Sequence, residues 1–198
     1  MDNYQYIIAS LPVPNKDIRP GDVSRSAELL AFIREHCSRE DNALIDRLLD
    51  GYDESKLGQA FYETALSGSD RFIREFFTFD LRVRNAKVRF LNKALDRPVD
   101  QDIFLEPEGE FPEAEKIAAV LQDKDILARE RGLDGLMWAK IDEILIFDTF
   151  NIDVILGFIA KLKISDRWLT LDEQTGREMF RRLVQEIRGT FKGVEFNE

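Results

Sequence analysis

Residues 69–96 read Ser69-Asp-Arg-Phe-Ile-Arg-Glu-Phe-Phe-Thr-Phe-Asp-Leu-Arg-Val-Arg-Asn-Ala-Lys-Val-Arg-Phe-Leu-Asn-Lys-Ala-Leu-Asp96, and this stretch decides the fold. At 100° per residue, Phe72, Phe76, Phe79, Val83, Ala86 and Phe90 fall on one narrow stripe, with the alternating spacing of four and three that marks a helical seam. Ile73, Phe77, Leu81, Val88, Leu91 and Leu95 form a second stripe beside it. Together the stripes cover more than half of the circumference. The pattern predicts one long helix, about 69–96, buried on most sides and central to the fold. Pro98 ends it.

Three charges interrupt the apolar arc: Asp80, Arg84 and Lys87. Asp80 and Arg84 stand four residues apart with the acid first, the favourable order, so an internal ion pair is expected there. The remaining polar stripe is basic. Arg71, Arg82 and Arg89 lie within about 20° of one another on the helical wheel. Residues 70–97 hold eight bases against four acids, whereas the whole chain carries a net charge of −10. Two expectations compete for this stripe. Either the acidic loop that follows folds back on it, or it docks an acidic protein partner. Nucleic acid ranks last, because the overall field repels it.

Outward from this helix, other helical signals dominate. Residues 24–37 carry Leu29, Leu30 and Ile33 on one side. Ser38 to Asp41 has capping-box spacing before Leu44, Ile45, Leu48 and Leu49, and Gly51 stops that helix. Residues 55–66 predict a further helix, broken by Ser67-Gly68-Ser69. Residues 98–111 read as an acidic loop, and Pro112 suits the first position of the next helix. Helical periodicity then runs from 113 to about 163, with breaks expected near Gly132-Leu-Asp-Gly135 and near Asn151. Thr170-x-x-Glu173 and Gly189 bound a last helix, before a tail at 190–198. Residues 4–11, Tyr-Gln-Tyr-Ile-Ile-Ala-Ser-Leu, are aromatic and β-branched and read as a short extended segment or a helical turn. The expected architecture is all-α: an irregular bundle around one long helix, in a single domain spanning 1–198, divisible into lobes 1–97 and 112–191.

Composition removes several chemistries. One cysteine, Cys37, and one histidine, His36, exclude a disulfide framework, a thiolate zinc site and paired-histidine metal motifs. On a helix these two neighbours point about 100° apart and form no ready dyad. Phosphate-binding glycine loops and serine elbows are missing. Carboxylates are scattered, as in Asp46 with Asp50 and Asp142 with Glu143 or Asp148. No catalytic residue, cofactor or metal is therefore expected. Trp138 starts a seam with Ile141 and Leu145, and Trp168, beside Asp166 and Arg167, is open between helix packing and partner contact. No apolar run reaches the length of a membrane span, and the first residues have no basic leader, so a cytoplasmic protein is expected.

Tyr4-x-Tyr6-Ile7-Ile8-Ala9-Ser10-Leu11-Pro12 and the central Phe76–Leu95 segment resemble a bacterial family of uncharacterised proteins encoded with V-type ATPase subunits. The segment from Phe111 through Asp148 and the helices to Phe191 fit its length and order. That family is similar to a reduced form of the C/d-type subunit of V/A-type ATPases, although this chain is much shorter. The resemblance implies an all-α, non-catalytic subunit that links the central stalk to the membrane ring, or an assembly factor or regulator of that complex. It would be cytoplasmic and held at the inner membrane through the ATPase. Asp80 and Asn85 match the polar residues found within long helices of the C/d-type subunit. The candidate contacts to stalk and ring subunits are Arg71, Arg82, Asn85, Arg89 and Trp168. An unrelated helical adaptor and a small magnesium-dependent nucleotide pyrophosphatase are the alternative readings.

Overall fold

The central helix predicted over about 69–96 is present, and Asp70 caps its start. Its carboxylate accepts the amide of Ile73 at 2.8 Å, and α5 then runs from Arg71 to Ala94. The computed structural model describes residues 3–16 and 22–169. The bounds predicted for the last helix and tail, 170–198, lie outside the described residues. Within them the chain is all-helical: α1 (Tyr4–Ser10), α2 (Ser26–His36), α3 (Arg39–Asp50), α4 (Gln59–Ser67), α5, α6 (Ala114–Leu121), α7 (Ile126–Ile144) and α8 (Ile152–Leu169). None of these helices is long and apolar enough to cross a membrane.

The predicted capping box forms. Ser38 Oγ accepts the Asp41 amide at 3.0 Å, and the Asp41 carboxylate accepts the Ser38 amide at 3.1 Å. The N-terminal segment is corrected: residues 4–10 are helix, not extended. Tyr4, Ile7, Ile8 and Leu11 share one helical face, which packs on the core with Ile7 fully buried. Burial of that face outweighs the strand preference of its residues. Tyr4 also donates to Asp41 at 2.9 Å, tying α1 to the start of α3.

The break expected at Gly132–Gly135 is absent; α7 runs straight through it, and the chain turns instead at 122–125. Asp125 caps α7 by accepting the amide of Leu127 at 2.9 Å. Gly132 has a packing role. A Cβ there would stand 2.7 Å from Val120 Cγ1, so the missing side chain sets how closely α6 approaches α7. Gly157 does the same between α8 and α7, where a Cβ would meet Leu145 and Ile141.

One apolar core spans both halves of the chain, from Ile7 and Ile33 through Phe72, Phe76 and Phe77 to Ile141 and Ile155. Phe72 and Phe76 stack on one another, and Phe61 meets Phe77 edge-on at 4.8 Å. Burial of α5 stops short of the prediction. Leu91 and Leu95 are exposed, because a 24-residue helix outreaches the 19-residue α7 beside it.

Candidate functional site

Four polar residues run down one face of α5 at spacings of three, four and three: Arg82, Asn85, Arg89 and Asn92. The acidic segment 97–111 lies antiparallel along them as a strap. Asn92 donates to the carbonyls of Val99 (3.2 Å) and Gln101 (2.7 Å). Arg89 pairs with Asp100 at 2.9 Å and with Glu106 at 2.8 Å. Asn85, which is buried, donates to the Leu105 carbonyl at 2.9 Å. Arg82 donates to the carbonyls of Glu108 (2.7 Å) and Glu110 (2.6 Å), with its guanidinium over the Phe111 ring. Asp102 and Gly109 take positive φ values of 68° and 91° where the strap bends.

Arg82, Asn85 and Arg89, predicted as partner contacts, therefore seat the chain's own loop. The physical reason is proximity: a strap following directly on α5 reaches the basic face at a small loop-closure cost. Arg71 is also engaged internally. It binds Asp148 and Asp153 (2.7 Å) and donates to the Ile144 carbonyl at 3.2 Å, joining the start of α5 to the α7–α8 turn.

Of the remaining predicted residues, Asp80 lines a cleft of about 430 Å³ between α5, α7 and α8, Arg84 lines the cleft beside it, and Trp168 lines a different one. The expected Asp80–Arg84 ion pair is replaced. Asp80 accepts a 2.5 Å hydrogen bond from Tyr62 of α4, while Arg84 and Lys87 stabilise its charge only at longer range. Tyr62 outcompetes the guanidinium because its rigid ring delivers the hydroxyl from across the core. Burial pushes the Asp80 carboxyl above the ordinary aspartate value, against the pull of Tyr62, Arg84 and Lys87. Asp134 is also raised by burial, opposed by Arg167 and by the Trp168 Nε1–H bond at 2.7 Å. Tyr52 and Tyr62 are both held protonated, first by burial and then by the charge of Asp80. Trp168 thus closes the α7–α8 hairpin, with Arg131 stacked on its ring at 4.7 Å.

Two clefts share Asp80, Asp134, Met137 and Arg167, so they form one polar crevice. Part of its charge is ion-paired: Glu130 bonds Lys87 at 3.0 Å and Arg167 at 2.8 Å, and Arg167 also reaches Asp134 at 3.3 Å. The scattered carboxylates noted from sequence are likewise ion-paired: Asp46 with Arg34, Asp50 with Lys56, Asp142 with Lys161, Glu143 with Lys140 and Asp148 with Arg71. Among the described residues no three of the His, Cys, Asp and Glu side chains converge on a point that would hold a metal. His36 bonds the Phe32 carbonyl at 2.8 Å and packs against Phe32 and Tyr6.

Residues 100–190 match a family described as "Protein of unknown function (DUF2764)". The match begins inside the strap and takes in α6, α7 and α8, so it includes the Asp134–Trp168 side of the crevice and leaves α5 outside. No curated protein and no solved structure matches the chain.

Sequence reasoning missed Tyr62 and Asn92, which have no local signal: each is a polar residue whose partner lies on another segment. The break expected near Asn151 is present as the turn 145–151, but its exposed apolar residues were passed over. There Ile146, Phe147 and Phe150 are 69 %, 92 % and 52 % exposed, and the apolar run between two helical patterns was the available signal.

Proposed function

We propose that the chain is a non-catalytic coupling component, of the C/d type, in a bacterial V-type rotary ATPase, or a factor bound to that complex. In this role it sits at the cytoplasmic face of the membrane between central stalk and ring. The observation that supports the reading is the way α5 is held. Along its length it is bonded by polar side chains to the α7–α8 turn (Arg71), to α4 (Asp80 with Tyr62), to α7 (Lys87) and to the strap (Arg82, Asn85, Arg89, Asn92). A helix braced on several sides transmits force without bending, which is what a coupling element in a rotor requires. The ion pairs of Glu130 and Asp134 in the crevice fit the same role, since they tie α5 and α8 to α7.

The test is an affinity pull-down of the tagged protein from gently solubilised native membranes, at low and moderate salt. Recovery of stalk or ring subunits is the expected result. An intact ATPase recovered without this chain would overturn the proposal and leave the adaptor reading in its place.

A further inference from the structure

Ile146, Phe147 and Phe150 project from the turn between α7 and α8 and expose on the order of 400 Å² of apolar surface, a size at which surface patches mark binding sites. The turn is held at both ends. Arg71 clamps Asp148, Asp153 and the Ile144 carbonyl. Asn151 donates to Asp148 at 2.6 Å and accepts the amide of Val154 at 3.2 Å. The apolar groups are therefore presented in a fixed arrangement, which lowers the entropy lost on association.

The most exposed charges around the tip are acidic. Glu143 is 67 % exposed while its partner Lys140 is 16 % exposed, and Asp142 is 59 % exposed while its partner Lys161 is 14 % exposed. In each pair the base is sunk and the acid faces solvent. Glu75 of α5 lines the groove beside Phe147. In the same groove Arg71 is paired with its two aspartates, while Arg74 and Arg82 are half-buried and turned to the carbonyls of Gly68, Glu108 and Glu110, so they stand back from the exposed acids. We infer that this tip is a docking plug, and that its occupant is a protein surface with an apolar pocket rimmed by Lys or Arg. Charge complementarity selects that partner. A second copy of this chain would set acid against acid at a net charge of −10 each, and an anionic lipid surface would repel the same rim. The plug supplies the apolar centre of an interface and the acids supply its rim, as in standard-sized complexes.

This inference rests on the coupling reading for the identity of the complex that carries the pocket. Its test titrates the purified full-length chain onto native membranes bearing the rotary ATPase, at rising salt. Three proteins are compared: wild type, Phe147→Ser/Phe150→Ser, and Asp142→Lys/Glu143→Lys, each with its melting curve as a folding control. Wild type is expected to bind and to weaken as salt rises. The serine variant should lose at least about tenfold in affinity with unchanged melting, and the charge-reversed variant several-fold. Equal binding by all three would overturn the plug while sparing the coupling role. Failure of wild type itself to bind membranes that hold the intact complex would overturn the coupling role, and the partner assignment with it. Phe147-dependent self-association in sedimentation, or Phe147-dependent binding to phosphatidylglycerol vesicles, would replace the protein partner with a second copy or with lipid.

Discussion

Asp80 holds a carboxyl where solvent access is poor. One hydroxyl, Tyr62, and two distant cations, Arg84 and Lys87, offset the cost, while Asp134 and Arg167 share the crevice from the facing helices. A carboxyl raised in the folded state stabilises the fold fully below the ordinary aspartate value and loses that contribution as pH climbs through the raised value. Asp80→Asn, which keeps an acceptor for Tyr62, should therefore be more stable than wild type at pH 8. The difference should shrink as pH falls and vanish below about pH 3, where the unfolded carboxyl is also protonated. Chemical denaturation at stepped pH checks this, and a constant difference would reject it. Tyr62→Phe strands the carboxylate and should cost about 1–3 kcal/mol at neutral pH. Asn85→Ala leaves the Leu105 carbonyl without its donor and should cost a similar amount, read from the urea midpoint.

At the scale of elements, the structure turns on places where two helices are joined by very little. At Gly157 a methyl group would meet Leu145 and Ile141 of the facing helix. Gly157→Ala should destabilise by about 1–3 kcal/mol through overpacking, even though alanine is the better helix former. A rise in melting temperature would show that Leu145 moves aside freely. Arg71→Ala should cost about 2–4 kcal/mol, because Asp148 and Asp153 are nearly buried and lose the cation they share. Amide exchange in that variant should rise first at the turn 145–151. The capped start of α3 and the seam of α5 were legible in sequence, because each is a local pattern. The path of α7 through Gly132 was not. Glycine reads as a breaker along the chain, and only the nearness of Val120 shows it to be a packing position.

For the whole molecule, the governing feature is that an acidic protein keeps its basic face for itself. The strap neutralises Arg89 with carboxylates and binds Arg82 through carbonyls. Arg82→Glu/Arg89→Glu should retain helicity yet lower stability by about 2–4 kcal/mol, and open 97–111 to proteolysis. Unchanged melting together with lost association would return the stripe to the partner surface. Raised salt should weaken the exposed Arg89 pairs in wild type and leave the Arg82 carbonyl bonds largely intact.

The chain's sequence determined the helical class, the central helix, the capping box and the acidity of the loop after Arg97, because periodicity, caps and charge are written within a few residues. Tertiary structure alone decided that residues 4–10 coil into a helix, that Tyr62 rather than Arg84 serves Asp80, and that the chain's own strap covers the basic stripe. These outcomes depend on which distant segment reaches a side chain first, and on whether burial outweighs local preference. Neither quantity is carried by any single stretch of sequence.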